Sequence, residues 1–189
     1  MKNNFPIVVN LFAGPGSGKS TGAAYIFSQL KLADINAELV TEFAKDLVWQ
    51  QDFTALNNQL YVLGNQSLRL SRCVDKVDVI ITDSPLLMNA SYCDPKEPYY
   101  ESFRQVVYQD WQKYNNLNFF VVRKKPYKKV GRLQTEEEAK AKDNDILMIL
   151  DQFNEPYLFT TGDKEGYDFV VEEVIALIKK IKAEENKNG

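Results

Sequence analysis

The chain has 189 residues, 44% of them hydrophobic and 12% aromatic, which suits a single domain over residues 1–189 with one continuous core. Its formal net charge is −3, with no histidine and two cysteines. That composition excludes Ser-His-Asp and Cys-His catalysis, histidine-containing metal centres, a disulfide framework and a four-thiolate zinc site. An acidic balance also argues against a dedicated DNA-coating protein, for which a basic domain is expected. Cys73 and Cys93 read as small apolar core residues in a reducing compartment. No apolar run near the N-terminus approaches the ~18 residues of a spanning helix, and Met1-Lys2-Asn3-Asn4 opens no signal-peptide plan. The expectation is a soluble, cytoplasmic protein with no membrane partner.

Residues 7–12 read as a buried strand, short and β-branched between Pro6 and Gly14. A helix is predicted over 20–31, where Ala23, Ala24, Phe27 and Leu30 recur at helical spacing, then a short strand over 38–41. Helices are predicted over 44–50 and 55–76, with Gly64 a weak point in the second. Residues 77–82 form the clearest strand after the first, and Pro85, Pro95 and Pro98 punctuate the connection that follows. A helix over 99–114 and a strand over 117–122 come next. Residues 123–132 then hold six cations in ten positions, with Pro126 and Gly131 breaking any regular helix. Thr135-Glu136-Glu137-Glu138 has the form of a capping box and opens a helix to about residue 151. A strand over 157–160 and a helix over 169–184 complete the chain. Strands alternating with helices predict an α/β fold, a parallel sheet covered on both faces with right-handed crossovers. In such a sheet ligands gather at the carboxyl ends of the strands.

The sharpest signal is Ala13-Gly14-Pro15-Gly16-Ser17-Gly18-Lys19-Ser20-Thr21. It has Walker A spacing, with Ala13 where a first glycine usually stands, and it lies between a strand and a helix. Gly14, Gly16 and Gly18 let the backbone turn its N–H groups toward phosphate oxygens, and the next helix adds its positive end. Lys19 is placed to bridge the terminal phosphates and the Ser20 hydroxyl to coordinate Mg2+. The apolar strand ending in Asp83 has the Walker B arrangement, in which the carboxylate holds Mg2+ directly or through water.

With these segments in hand the chain resembles the P-loop nucleotide and nucleoside kinases. Thr41-Glu42-Phe43-Ala44-Lys45-Asp46, Thr82-Asp83-Ser84-Pro85-Leu86 and Gly131-Arg132-Leu133-Gln134-Thr135 are similar to the kinase domain of NadR, which phosphorylates nicotinamide riboside. They are also similar to small AAA-like ATP-binding proteins of bacteriophages. The resemblance implies a three-layer fold with a five-stranded parallel sheet in order 2-3-1-4-5, a lid over about 123–134, and ATP with Mg2+ as donor. By the same resemblance Glu42 accepts the proton of the attacking hydroxyl, and Arg123 and Arg132 neutralise charge on the migrating phosphoryl group. Trp49, Phe53, Tyr61, Gln66 and Arg69 are candidates for the acceptor pocket. By fold analogy Gly162-Asp163 flanks the adenine.

The expected activity is therefore an ATP- and Mg2+-dependent kinase acting on a nucleoside, nucleotide or nicotinamide-riboside-like acceptor. Two other readings use the same residues: a kinase acting on a polynucleotide or modified base, motivated by the basic segment and disfavoured by the acidic charge, and a nucleotide-dependent binding module with no acceptor.

Overall fold

The computed structural model describes residues 6–124 and 135–188. Five strands, β1 (Ile7–Phe12), β2 (Ala37–Val40), β3 (Val79–Thr82), β4 (Asn115–Val122) and β5 (Leu158–Thr161), form one sheet in the order β2-β3-β1-β4-β5. All four pairings are parallel, as the kinase resemblance implies. The helices are α1 (Lys19–Leu32), α2 (Phe43–Gln50), α3 (Phe53–Asn57), α4 (Gln59–Ser71), α5 (Tyr100–Trp111), α6 (Glu136–Gln152) and α7 (Lys164–Asn188), with a 3-10 turn over Leu86–Ser91.

Strand alternation sorts the apolar side chains into two cores. Val9, Leu11, Ile81, Phe119 and Val121 pack on Ala23, Ile26 and Leu30 of α1 and Val170, Val174 and Ile178 of α7. Val8, Phe12, Ile80 and Phe120 face the other way, onto Leu63 and Leu70 of α4, Phe103, Val107 and Trp111 of α5, and Ile146 and Leu150 of α6. Successive strand residues point to opposite faces, and burying each large apolar side chain contributes about 1.5–3 kcal/mol. The result is helix–sheet–helix, three layers. Cys73 and Cys93 are buried free thiols in the second core, which fits their reading as apolar filler.

The central strand carries one polar exception. Asn10 is fully buried, and its Nδ2 donates to Asn116 Oδ1 at 3.0 Å and Asn118 Oδ1 at 3.1 Å on β4. Asn10 stands opposite Asn118 in the ladder, so a one-residue slip would leave these amides unpaired in the core.

The helix expected over 99–114 is shorter, Tyr100–Trp111, and two others differ more from the pattern reading. The helix expected over 55–76 is α3 and α4 in succession, and it ends at Ser71. Asn58 sits between them in an extended conformation, and its side chain accepts from the Tyr61 N–H at 3.1 Å. An Asn that caps the next turn outcompetes continuation of the previous one. The last helix begins five residues before the expected 169, because Asp163 accepts the Gly166 N–H at 3.1 Å and starts it at Lys164. The capping box at α6 is formed as read: Thr135 Oγ1 accepts from the Glu138 N–H at 3.2 Å and Glu138 Oε2 from the Thr135 N–H at 2.6 Å. Among the described residues, no helix is long and apolar enough to cross a membrane.

Candidate active site

The loop from Ala13 to Gly18 joins β1 to α1 at the carboxyl end of the sheet's central strand. Gly16 and Gly18 have φ of 81° and 106°, a left-handed backbone that a side chain resists. Gly18 is also crowded: a Cβ there would lie 2.5 Å from the Tyr167 hydroxyl, which donates to the Gly18 carbonyl at 3.0 Å. Ser17, within the loop, is buried. Lys19 opens α1, and its Nζ donates to the Gly14 carbonyl at 3.0 Å. Burial holds its ammonium below the ordinary lysine range, against the charges of Glu42, Asp83 and Asp143, which raise it.

The loop borders a cleft of about 560 Å3, within the usual size of small-ligand sites. Pro15, Gly16, Gly18, Lys19, Ser20 and Thr21 form one wall, and Glu42 and Asp83 line it as well. These carboxylates come together because β2 and β3 are neighbours. Val40 pairs with Thr82, so the residues just beyond both strand ends meet. The Glu42 N–H donates to Asp83 Oδ1 at 3.1 Å. Burial raises the Glu42 carboxyl above its ordinary value, Asp83 raises it further, and Lys19 opposes the rise. The oxygen donors of Ser20 and Asp83 border the same cleft and are of the kind Mg2+ takes.

The far wall is built by α2, α3, α4 and the 3-10 turn. Val48, Trp49, Leu56, Val62 and Met88 supply apolar surface; Lys45, Asn57, Gln59, Asn89 and Tyr92 supply polar groups. Of the acceptor candidates read from sequence, only Trp49 lies in this lining. Gln66 is instead buried behind it, where its Oε1 accepts the Phe43 N–H at 2.9 Å. Arg69 donates to the Thr41 carbonyl at 3.2 Å, pairs with Asp46, and lies over the Phe43 ring at 5.1 Å. Tyr61 packs edge-on against Phe43, and Phe53 is not part of the lining. Gln66, Arg69 and Tyr61 thus hold the 41–46 segment that carries Glu42. The pattern missed Asn89 and Tyr92 because prolines made 85–98 look like plain connection.

The other expected residues divide. Arg123 turns to the loop backbone: Nε and Nη2 bond Asp143 Oδ2 and the Ala139 carbonyl, each at 3.0 Å, and Nη1 bonds the Pro15 carbonyl. Arg132 and most of the basic segment lie outside the described residues. Gly162 lies against the loop, where a Cβ would stand 2.1 Å from the Ser17 carbonyl. Asp163 caps α7; hydrogen bonds from the Thr161 hydroxyl and the Gly166 N–H hold its carboxyl below the ordinary value. Neither Gly162 nor Asp163 lines the cleft.

A family described as the AAA domain matches residues 8–166. The chain belongs to the AAA domain family. No curated protein matches it. Among solved structures it is similar to a deoxyadenosine kinase from M. mycoides with the products dCMP and a flexible dCDP bound, at 18% identity and a TM-score of 0.53, covering 92% of this chain and 99% of that one. The same enzyme with bound dATP gives 19% identity and 0.55, over 91% and 99%. A thymidylate kinase from Ehrlichia chaffeensis gives 14% and 0.56, over 93% and 99%. At these identities the likeness establishes the fold, the P-loop kinase arrangement of a 2-3-1-4-5 parallel sheet with helices around it.

Proposed function

We propose that this protein is an ATP- and Mg2+-dependent phosphotransferase that moves the terminal phosphoryl group of ATP to a hydroxyl of a small nucleoside-like acceptor. One observation carries the reading: Lys19, Glu42 and Asp83 border a single cleft beside a glycine loop of left-handed backbone. The loop amides and Lys19 grip the triphosphate; Ser20 and Asp83 hold Mg2+, which when bound neutralises charge on the phosphate oxygens. Glu42 takes the proton from the acceptor hydroxyl as its oxygen forms the new O–P bond and the bond from the terminal phosphorus to the bridging oxygen breaks, leaving ADP. A carboxyl raised above its ordinary value by burial is a stronger base for that exchange. A base at Glu42 favours a neutral hydroxyl, which has a proton to give, over an anionic phosphate as acceptor. Trp49 and Tyr92 offer flat surface for a ring, and Asn57, Gln59 and Asn89 offer amides for its edge. Arg132 is assigned to the migrating phosphoryl group by family resemblance.

The test is ADP release from ATP and Mg2+ with a panel of nucleosides, nucleoside monophosphates, nicotinamide riboside and a 5′-hydroxyl oligonucleotide. A nucleoside-like compound should raise ADP well above background. A monophosphate or the oligonucleotide as the best acceptor would overturn the hydroxyl, small-molecule part of the reading. Nucleotide binding with no transfer to any acceptor would favour a binding module, a role that the AAA domain assignment also accommodates.

A further inference from the structure

Gly14 is engaged on both of its polar groups. Its N–H donates to Asp143 Oδ1 at 2.5 Å, and its carbonyl accepts from Lys19 Nζ at 3.0 Å. Asp143 lies in α6, far along the chain, and reaches the loop at a residue outside the cleft lining. Arg123, just past β4, completes the contact. It pairs with Asp143 at 2.9 Å and donates to the carbonyls of Pro15 and Ala139. Both partners are largely buried, with 13% and 18% of their side chains exposed. The fit is close: a Cβ on Gly14 would stand 2.4 Å from the Ala139 carbonyl and 3.0 Å from both Arg123 Nη2 and Asp143 Oδ1. This glycine is required by approach of a neighbouring helix, apart from any turn it makes.

We propose that Asp143, held by Arg123, is a positioning residue for the triphosphate: it fixes the Gly14 peptide from behind and, through the Gly14 carbonyl, the ammonium of Lys19. The proposal rests on the cleft being a triphosphate site. A lysine ammonium has three donors, so one bond to Gly14 orients it and leaves two for phosphate oxygens. A charge-assisted bond to the Gly14 N–H is stronger than a neutral one. Its partner Arg123 cannot lose its proton, so removal of Asp143 would leave a largely buried cation beside Lys19.

The experiment compares the full-length wild type with Asp143→Ala and Asp143→Asn. Two quantities are read: affinity for Mg-ATP and for inorganic tripolyphosphate by calorimetry, and the backbone amide proton resonance of Gly14. Asp143→Ala should weaken both ligands by a similar factor, about tenfold or more, and move the Gly14 resonance upfield. Asp143→Asn keeps an oxygen for that N–H and should fall between. With an accepted substrate, KM for ATP should rise while KM for the acceptor stays put, a split that general loosening would not produce. If Asp143→Ala does not fold, Asp143→Asn decides on the same readouts. A folded variant that binds tripolyphosphate as tightly as the wild type, or an unmoved Gly14 resonance, overturns the proposal. A wild type that binds neither ligand overturns the kinase reading and with it the triphosphate role of Asp143, whereas a wild type that binds both while Asp143→Ala binds them equally well overturns the role of Asp143 alone.

Discussion

The backbone N–H of Glu42 hangs from the side chain of Asp83, 3.1 Å away. The second residue past β2 is thereby fixed to the first residue past β3, and the two carboxylates enter one cleft with Lys19. Asp83 is buried, so its oxygen gives the Glu42 backbone a rigid support while Gln66 and Arg69 hold the same segment from α4. The chemistry assigned to Glu42 depends on this double anchorage.

Glu42→Gln should lower phosphoryl transfer by about 10^2–10^4-fold, the usual contribution of a positioned base. Its size and fold are preserved, and its main-chain bond to Asp83 does not involve the side chain. Nucleotide affinity should therefore hold. Steady-state kinetics with calorimetry on the same sample checks both halves; turnover within tenfold of wild type would remove Glu42 from the proton transfer.

Activity should follow a bell in pH. In the proposed mechanism, transfer requires Glu42 ionised and Lys19 protonated. Burial raises Glu42 above its ordinary value of 4.5 and lowers Lys19 below 10.5. Rate is thus lost on the acid side at a pH above the ordinary carboxylate range, and on the alkaline side at a pH below the ordinary lysine range. A profile of kcat/KM against pH should show a bell narrowed from both ends, and Glu42→Gln should abolish its acid limb. An acid limb unchanged in that variant would assign the ionisation to another group.

Two glycine-to-alanine changes should move stability in opposite directions. Gly64 lies exposed in the middle of α4, and a Cβ there meets nothing within 4 Å. Gly64→Ala should stabilise the protein by about 0.5–1 kcal/mol through helix propensity. Gly14→Ala drives a methyl group against the Ala139 backbone and should destabilise the protein and weaken nucleotide binding together. Thermal unfolding of both variants, with and without Mg-ATP, gives the comparison.

Gln66→Ala removes the acceptor of the Phe43 N–H, and with it a 3.4 Å bond to the Thr41 carbonyl, from a fully buried position. The expected cost is about 1–3 kcal/mol by denaturant unfolding. Because the bonds hold the residues on either side of Glu42, kcat should fall more than nucleotide affinity. Equal losses in both would point to general destabilisation.

Much of the fold is legible in local patterns. The β-branched runs at 7–12 and 77–82, the second of which forms a strand only from Val79, the Thr-x-x-Glu start of α6 and the apolar stripe of α7 are interactions among near neighbours, so composition and spacing report them. The sequence missed the break at Asn58 because the apolar residues of α3 and α4 continue one stripe across it. Only the cap bond to Tyr61 reveals the turn. In the same way Gln66 and Arg69 looked free to meet a ligand, since nothing in a helix pattern says that their polar ends are taken by the segment after β2.

By itself the chain's order of residues determined the glycine loop with Lys19 and Ser20, and the strand ending in Asp83. It likewise determined the absence of histidine chemistry. Each of these is written in consecutive residues or in a count. What only the packed molecule decided is which distant groups share a space: Glu42 beside Asp83, Tyr92 and Asn89 in the cleft wall, and Asp143 with Arg123 behind Gly14. Sheet order and helix packing set those distances, and both arise from burial of apolar faces across the whole chain, which no short stretch of sequence records.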